Sequence, residues 1–163
     1  TAMAHFEDHN ELHDCLSEAW ESFHSKNFEK AIELGEQVLA DFLELDADPN
    51  QSETCNGLCD AYCLLGFSYS AIGDLASADS YRQANFDRYI GEGGIAEVTA
   101  LQDLAKSMTE RNVLVMARLC YLAAADLQSR LFEQGLADVE EEDVDRTRAK
   151  ADVHSNEHLR GLL

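Results

Sequence analysis

The chain predicts an all-α fold of about seven helices, and three observations carry that expectation. Proline occurs once, at Pro49; the longest stretches show no period-two alternation; and alanine, leucine, glutamate and glutamine dominate, all strong helix formers. With 163 residues and 45% hydrophobic content the chain can bury a real core, and one domain spanning 1–163 is expected.

The elements follow from their breaks. A first amphipathic stretch, near 6–24, is interrupted by Ser25-Lys26-Asn27. A second, near 28–46, ends at Asp46-Ala47-Asp48-Pro49-Asn50, because proline cannot continue a helix and disfavours helix at the residue before it. A third covers 52–72 and stops at Gly73-Asp74, and a fourth covers 75–90. Gly91-Glu92-Gly93-Gly94 is the most permissive backbone in the chain and separates its two halves. Beyond it, helices are expected near 95–107, 110–134 and 143–160, with a turn at Ser107–Glu110 or, alternatively, one long helix over 95–134. Asp143, at the end of the acidic connector Glu140-Glu141-Glu142-Asp143, is placed to cap the last helix.

Charge narrows the classes of partner. The net charge is −20, and residues 1–60 carry 15 acids against Lys26 and Lys30. Nucleic-acid binding needs a basic footprint that is absent, and an anionic membrane surface would repel the chain. No apolar run approaches the roughly 18 residues of a membrane span. A basic partner, steered by the acidic field, competes with a merely solubilising surface. Five cysteines without close CxxC pairs read as reduced thiols of a cytoplasmic protein.

The first 90 residues repeat. Ala31 and Ala78 are 47 residues apart, as are Ala19 and Gly66, and Asn27 and Asp74. Each half is a helix, a tight turn and a second helix, and one such hairpin buries its apolar face by stacking on the next.

In the second half, Tyr62-x2-Leu65-Gly66-x2-Tyr69, Gly73-Asp74 and Ala78 resemble the tetratricopeptide repeat. In the first, Ala19, Asn27-Phe28, Ala31 and the stretch Leu45–Asn50 fall in matching slots. Cys15, Glu18 and Ser22 replace the usual aromatic, leucine and tyrosine, and Gly35 and Arg82 stand where a large apolar residue is usual. The likeness covers about residues 12–90, and no further repeat is readable after Gly94.

This resemblance implies a right-handed stack of antiparallel helical hairpins whose first helices line a groove for a peptide or partner helix. Carried over slot by slot, the groove positions are His13, Leu16, Trp20, Phe23 and His24, then Asp60, Cys63, Phe67 and Ser70. Leu16, Trp20 and Phe67 occupy slots where one subgroup of the family grips C-terminal carboxylates with lysine and asparagine, so that activity is not implied. The expected ligand is an apolar protein segment with basic flanks, with Glu11, Asp14 and Glu18 as an electrostatic rim. A small acidic chaperone for a secreted or assembling client is an alternative within the same resemblance.

The histidines raise a third reading, a metal-dependent regulator or enzyme. His5, His9 and His13 lie four apart, as do His154 and His158. Eight residues of helix rise about 12 Å while metal–nitrogen bonds are near 2 Å, so the three do not form one site. His9-Asn-Glu-Leu-His13 also misplaces the glutamate of a metalloprotease helix. The same length limit applies to Cys55, Cys59 and Cys63, which are read as small buried residues. No phosphate cradle and no nucleophile in a recognisable context appear, so neither catalysis nor a cofactor is expected.

Overall fold

The computed structural model describes residues 9–46, 55–136 and 138–162. Within them the protein is all-α: α1 (His9–His24), α2 (Phe28–Asp46), α3 (Cys55–Ala71), α4 (Leu75–Tyr89), α5 (Ile95–Glu110), α6 (Leu114–Glu133) and α7 (Glu141–Leu162). Helices α1 and α2, α2 and α3, α5 and α6, and α6 and α7 pack on one another, hairpin packing that is consistent with the expected fold class. The predicted Pro49 break and the side chains of His9, Cys55 and His158 lie outside the described residues, as does His5.

The chain forms two compact units, residues 1–85 and 86–163. The boundary falls inside α4, ahead of the glycine-rich segment, because Phe86 packs with the Val98, Leu101, Ala124, Leu127 and Leu131 cluster of the second unit.

In the first unit α1 packs on α2, α2 on α3, and α1 on α3. The core runs through Leu12, Leu16, Ala19, Ala31, Val38, Phe42, Leu58, Ala61, Leu64 and Leu65. Close approach explains the small residues: a β-carbon on Gly57 would stand 2.3 Å from Phe42 Cζ, and one on Gly35 would meet Leu65 Cδ2 at 3.0 Å. The two slots that lack the usual large apolar residue are therefore filled differently. Leu64 and Leu65 press against Gly35, while Arg82 is itself the bulky residue, 1% exposed, lying over Gly66.

The two hairpin turns of this unit are the same structure. Lys26 (φ 62°) and Gly73 (φ 84°) are left-handed, and the next residue's N–H reaches back to the helix, Asn27 to the Ser22 carbonyl and Asp74 to that of Tyr69. Asn27 Oδ1 and Asp74 Oδ1 then cap α2 and α4 by accepting the N–H of Lys30 (3.3 Å) and Ser77 (3.1 Å).

The second unit carries the same backbone turn twice more: at Gly135 (φ 64°, Leu136 N–H to the Leu131 carbonyl), where no helix follows directly, and as a third hairpin turn at Asn112, whose likeness to the first two is not visible in the sequence. Asn112 is left-handed (φ 59°), the Val113 N–H bonds to the Met108 carbonyl, and the Ala117 N–H bonds to that of Val113. Ala31, Ala78 and Ala117 are all fully buried, as are Ala19 and Ala105 near their helix crossings. The turn thus lies at 111–113, four residues later than expected, and 95–134 is not one helix. Its spacing from Ala78 is 39 residues instead of 47, and Ala105 and Val113 replace Gly66 and Asp74, so the pattern is hidden. Helix α7 packs along α6 and reaches α5 through Gln102–Thr147 (3.1 Å) and Thr109–His154 (3.1 Å).

Candidate functional site: an aromatic face on the first unit

Helices α1 and α3 bring most of the expected groove residues together. Trp20 is the centre: its Nε1–H donates to Asp60 Oδ1 at 3.2 Å, and its ring lies 5.9 Å from His24 in a stacked geometry. Phe23 meets Trp20 edge-on at 5.7 Å, and Phe67 completes the cluster at 6.4 Å from Trp20 and 6.2 Å from Phe23. Below Phe67 the Arg82 guanidinium sits 5.7 Å from the ring centroid, a cation–π support that sequence reasoning does not supply. Only the oddity of an arginine in an apolar slot pointed to it.

Trp20, Phe23 and Phe67 are half-buried, whereas His13, His24 and Asp60 are exposed. Such a surface offers apolar area with a polar edge. Its aromatic rings are already held by their neighbours, which limits the entropy lost when a ligand lands on them. His13 packs its ring edge-on against Phe42 at 5.7 Å. Ser70, half-buried, is one turn beyond Phe67 near the end of α3.

Two expected groove residues face inward. Leu16 belongs to the core, and Cys63 is buried with Cys59 beneath Asn85, whose Nδ2 points at both thiols (3.7 and 3.9 Å to Cys59 and Cys63). Neither side chain lines the open face. The acidic rim also lies elsewhere. At about 100° per residue, Glu11, Asp14 and Glu18 share one stripe of α1 while His13, Trp20 and His24 share another, centred about 130° away. The three acids, with Cys15, Leu34 and Gln37, line a separate open cleft of about 370 Å³ between α1 and α2. Glu18 there pairs with Lys30 at 2.9 Å.

The electrostatics of the aromatic face centre on Asp60. Although Asp60 reaches solvent, its carboxyl is crowded by neighbouring protein, and this desolvation raises its pKa above the ordinary value, while the Trp20 hydrogen bond and nearby His13 partly oppose that rise. A cation seated beside it would favour the charged form, which desolvation disfavours.

On the other side of α3, Tyr69 and Tyr81 stack at 5.5 Å and both phenols donate to Glu36 Oε1, Tyr81 at 3.0 Å. Tyr69 is raised first by that hydrogen bond, while burial and then the Glu36 charge push Tyr81 up to about 12. This cluster ties α2, α3 and α4 together.

Among the described residues no group of three or more histidines, cysteines or carboxylates is arranged to hold a metal ion, and no helix is long and apolar enough to cross a membrane. The described thiols, Cys15, Cys59, Cys63 and Cys120, are unbridged, and burial raises the pKa of Cys15 and Cys120. Comparison of the chain with family models, curated proteins and solved structures finds no match.

Proposed function

We propose that the protein is a non-catalytic binding module of tetratricopeptide type. Its ligand is an apolar segment of a partner protein, helical or extended, with a lysine or arginine beside the apolar residues. The observation that carries this reading is the Trp20–Phe23–Phe67 face with Asp60 at its edge. Aromatic anchors in a supported cluster supply most of the energy of a small interface, and a partly desolvated carboxylate selects for a cation. The three hairpins with one turn geometry support the family reading, and the unbridged thiols fit a cytoplasmic setting.

The test is selection of peptides from a random displayed library on the full chain. Enriched sequences should combine aromatic or aliphatic residues with lysine or arginine, and Trp20→Ala should abolish the enrichment. Peptides rich in acids, or enrichment indifferent to Trp20→Ala, would contradict the proposal.

A further inference from the structure

Helix α6 buries one face and leaves another bare. Ala117, Tyr121, Ala124, Leu127 and Leu131 are buried, while Val115, Met116 and Leu119 are 51%, 46% and 50% exposed. With the exposed Ala123 and Asp126 they form one stripe, since all five fall within about 60° of Leu119 at 100° per residue. The stripe lies in the least acidic part of the chain. Residues 111–131 hold Arg111, Arg118 and Arg130 against Asp126, in a protein of net charge −20.

We propose that this stripe is a two-fold interface with a second copy of the chain, α6 packing antiparallel on α6 of the partner. Three features select that occupant. Centred on Leu119, an antiparallel pair sets Val115 against Ala123 on each side of the axis, so a large side chain meets a small one twice over about 12 Å of helix. The same register sets Asp126 of each copy opposite the other's 111–113 turn, which carries Arg111 and opens α6. That end of the helix has no side-chain cap: Val113 makes no such hydrogen bond, and the positive helix end favours a carboxylate. The arrangement is self-complementary, as an isologous interface requires, and it places the mutual contact on the stretch where two strongly acidic copies repel least. The inference is independent of the aromatic face of the first unit.

Sedimentation equilibrium of the full chain tests it. At about 100 µM and physiological salt a dimer should be present, as expected of a small interface of micromolar strength. Leu119→Glu sets two carboxylates on the two-fold axis and should weaken the dimer by about tenfold or more. Arg111→Asp and Asp126→Arg should each weaken it, and R111D/D126R together should restore it. Circular dichroism checks that each variant keeps its helicity. The restored double variant shows that the charges act across the interface and not through folding. A wild-type monomer throughout the range, a dimer indifferent to L119E, or a double variant no stronger than the single ones would overturn the proposal.

Discussion

Trp20 holds the binding reading at the scale of single residues. It touches Phe23, His24 and Phe67 and donates to Asp60, so its loss removes the anchor and one polar tie. Trp20→Ala is expected to cost about 2 kcal/mol or more in affinity for a selected peptide, measured by calorimetry, with helicity retained. Asp60 separates binding from stability. Because its folded pKa is raised, its stabilising contribution is complete below the unfolded value and is lost as pH rises through the folded one. At neutral pH Asp60→Asn should therefore leave Tm unchanged or slightly raised, while affinity for a basic peptide falls. In the wild type, affinity should fall as pH drops towards the raised Asp60 pKa, and the asparagine variant should lack that slope. The tyrosine pair gives an alkaline counterpart. Tyr69 and Tyr81 should ionise above the ordinary tyrosine range in an ultraviolet titration, with a corresponding loss of stability there, and Glu36→Gln should bring both down.

Helices and hairpins were legible where local chemistry announced them. Asn27, Gly73 and Asp74 are turn and cap residues by type, and the elements they bound lie within a few residues of expectation. The third hairpin was illegible because its turn uses Asn112 and Val113, an unremarkable pair whose geometry comes from backbone bonds to Met108 and Thr109. That Trp20, Phe23, His24, Asp60 and Phe67 lie together was readable from slot positions alone. The inward turn of Leu16 and Cys63, and the separation of Glu11, Asp14 and Glu18 from the aromatic face, depended on how helices α1 to α3 are rotated against one another. Equivalence of the three hairpins is testable at their crossings. Ala31→Leu, Ala78→Leu and Ala117→Leu should each overpack a fully buried site and destabilise by about 1–3 kcal/mol in chemical denaturation. An Ala117→Leu variant as stable as the wild type would remove the third hairpin from the series.

For the whole molecule the governing quantity is charge. A net −20 opposes compaction, so Tm should rise as salt is added from very low ionic strength to about 0.15 M, where the screening length is near 8 Å. The same field steers a basic ligand. Neutralising Glu11, Asp14 and Glu18 together, on the far side of α1 from Trp20, should slow association and flatten its salt dependence without changing dissociation. The central claim is that the ligand lies on the aromatic face, and the chain supplies its own reporter, since Trp20 is its only tryptophan. The most direct measurement is a fluorescence titration of the full chain with a selected tryptophan-free peptide, repeated on Phe67→Ala. The account predicts a saturable change in Trp20 emission at one peptide per chain, and a binding curve shifted to roughly tenfold higher concentration or more by Phe67→Ala. Calorimetric binding of that peptide with no change in Trp20 emission, and with equal affinity for the Phe67→Ala variant, would contradict it.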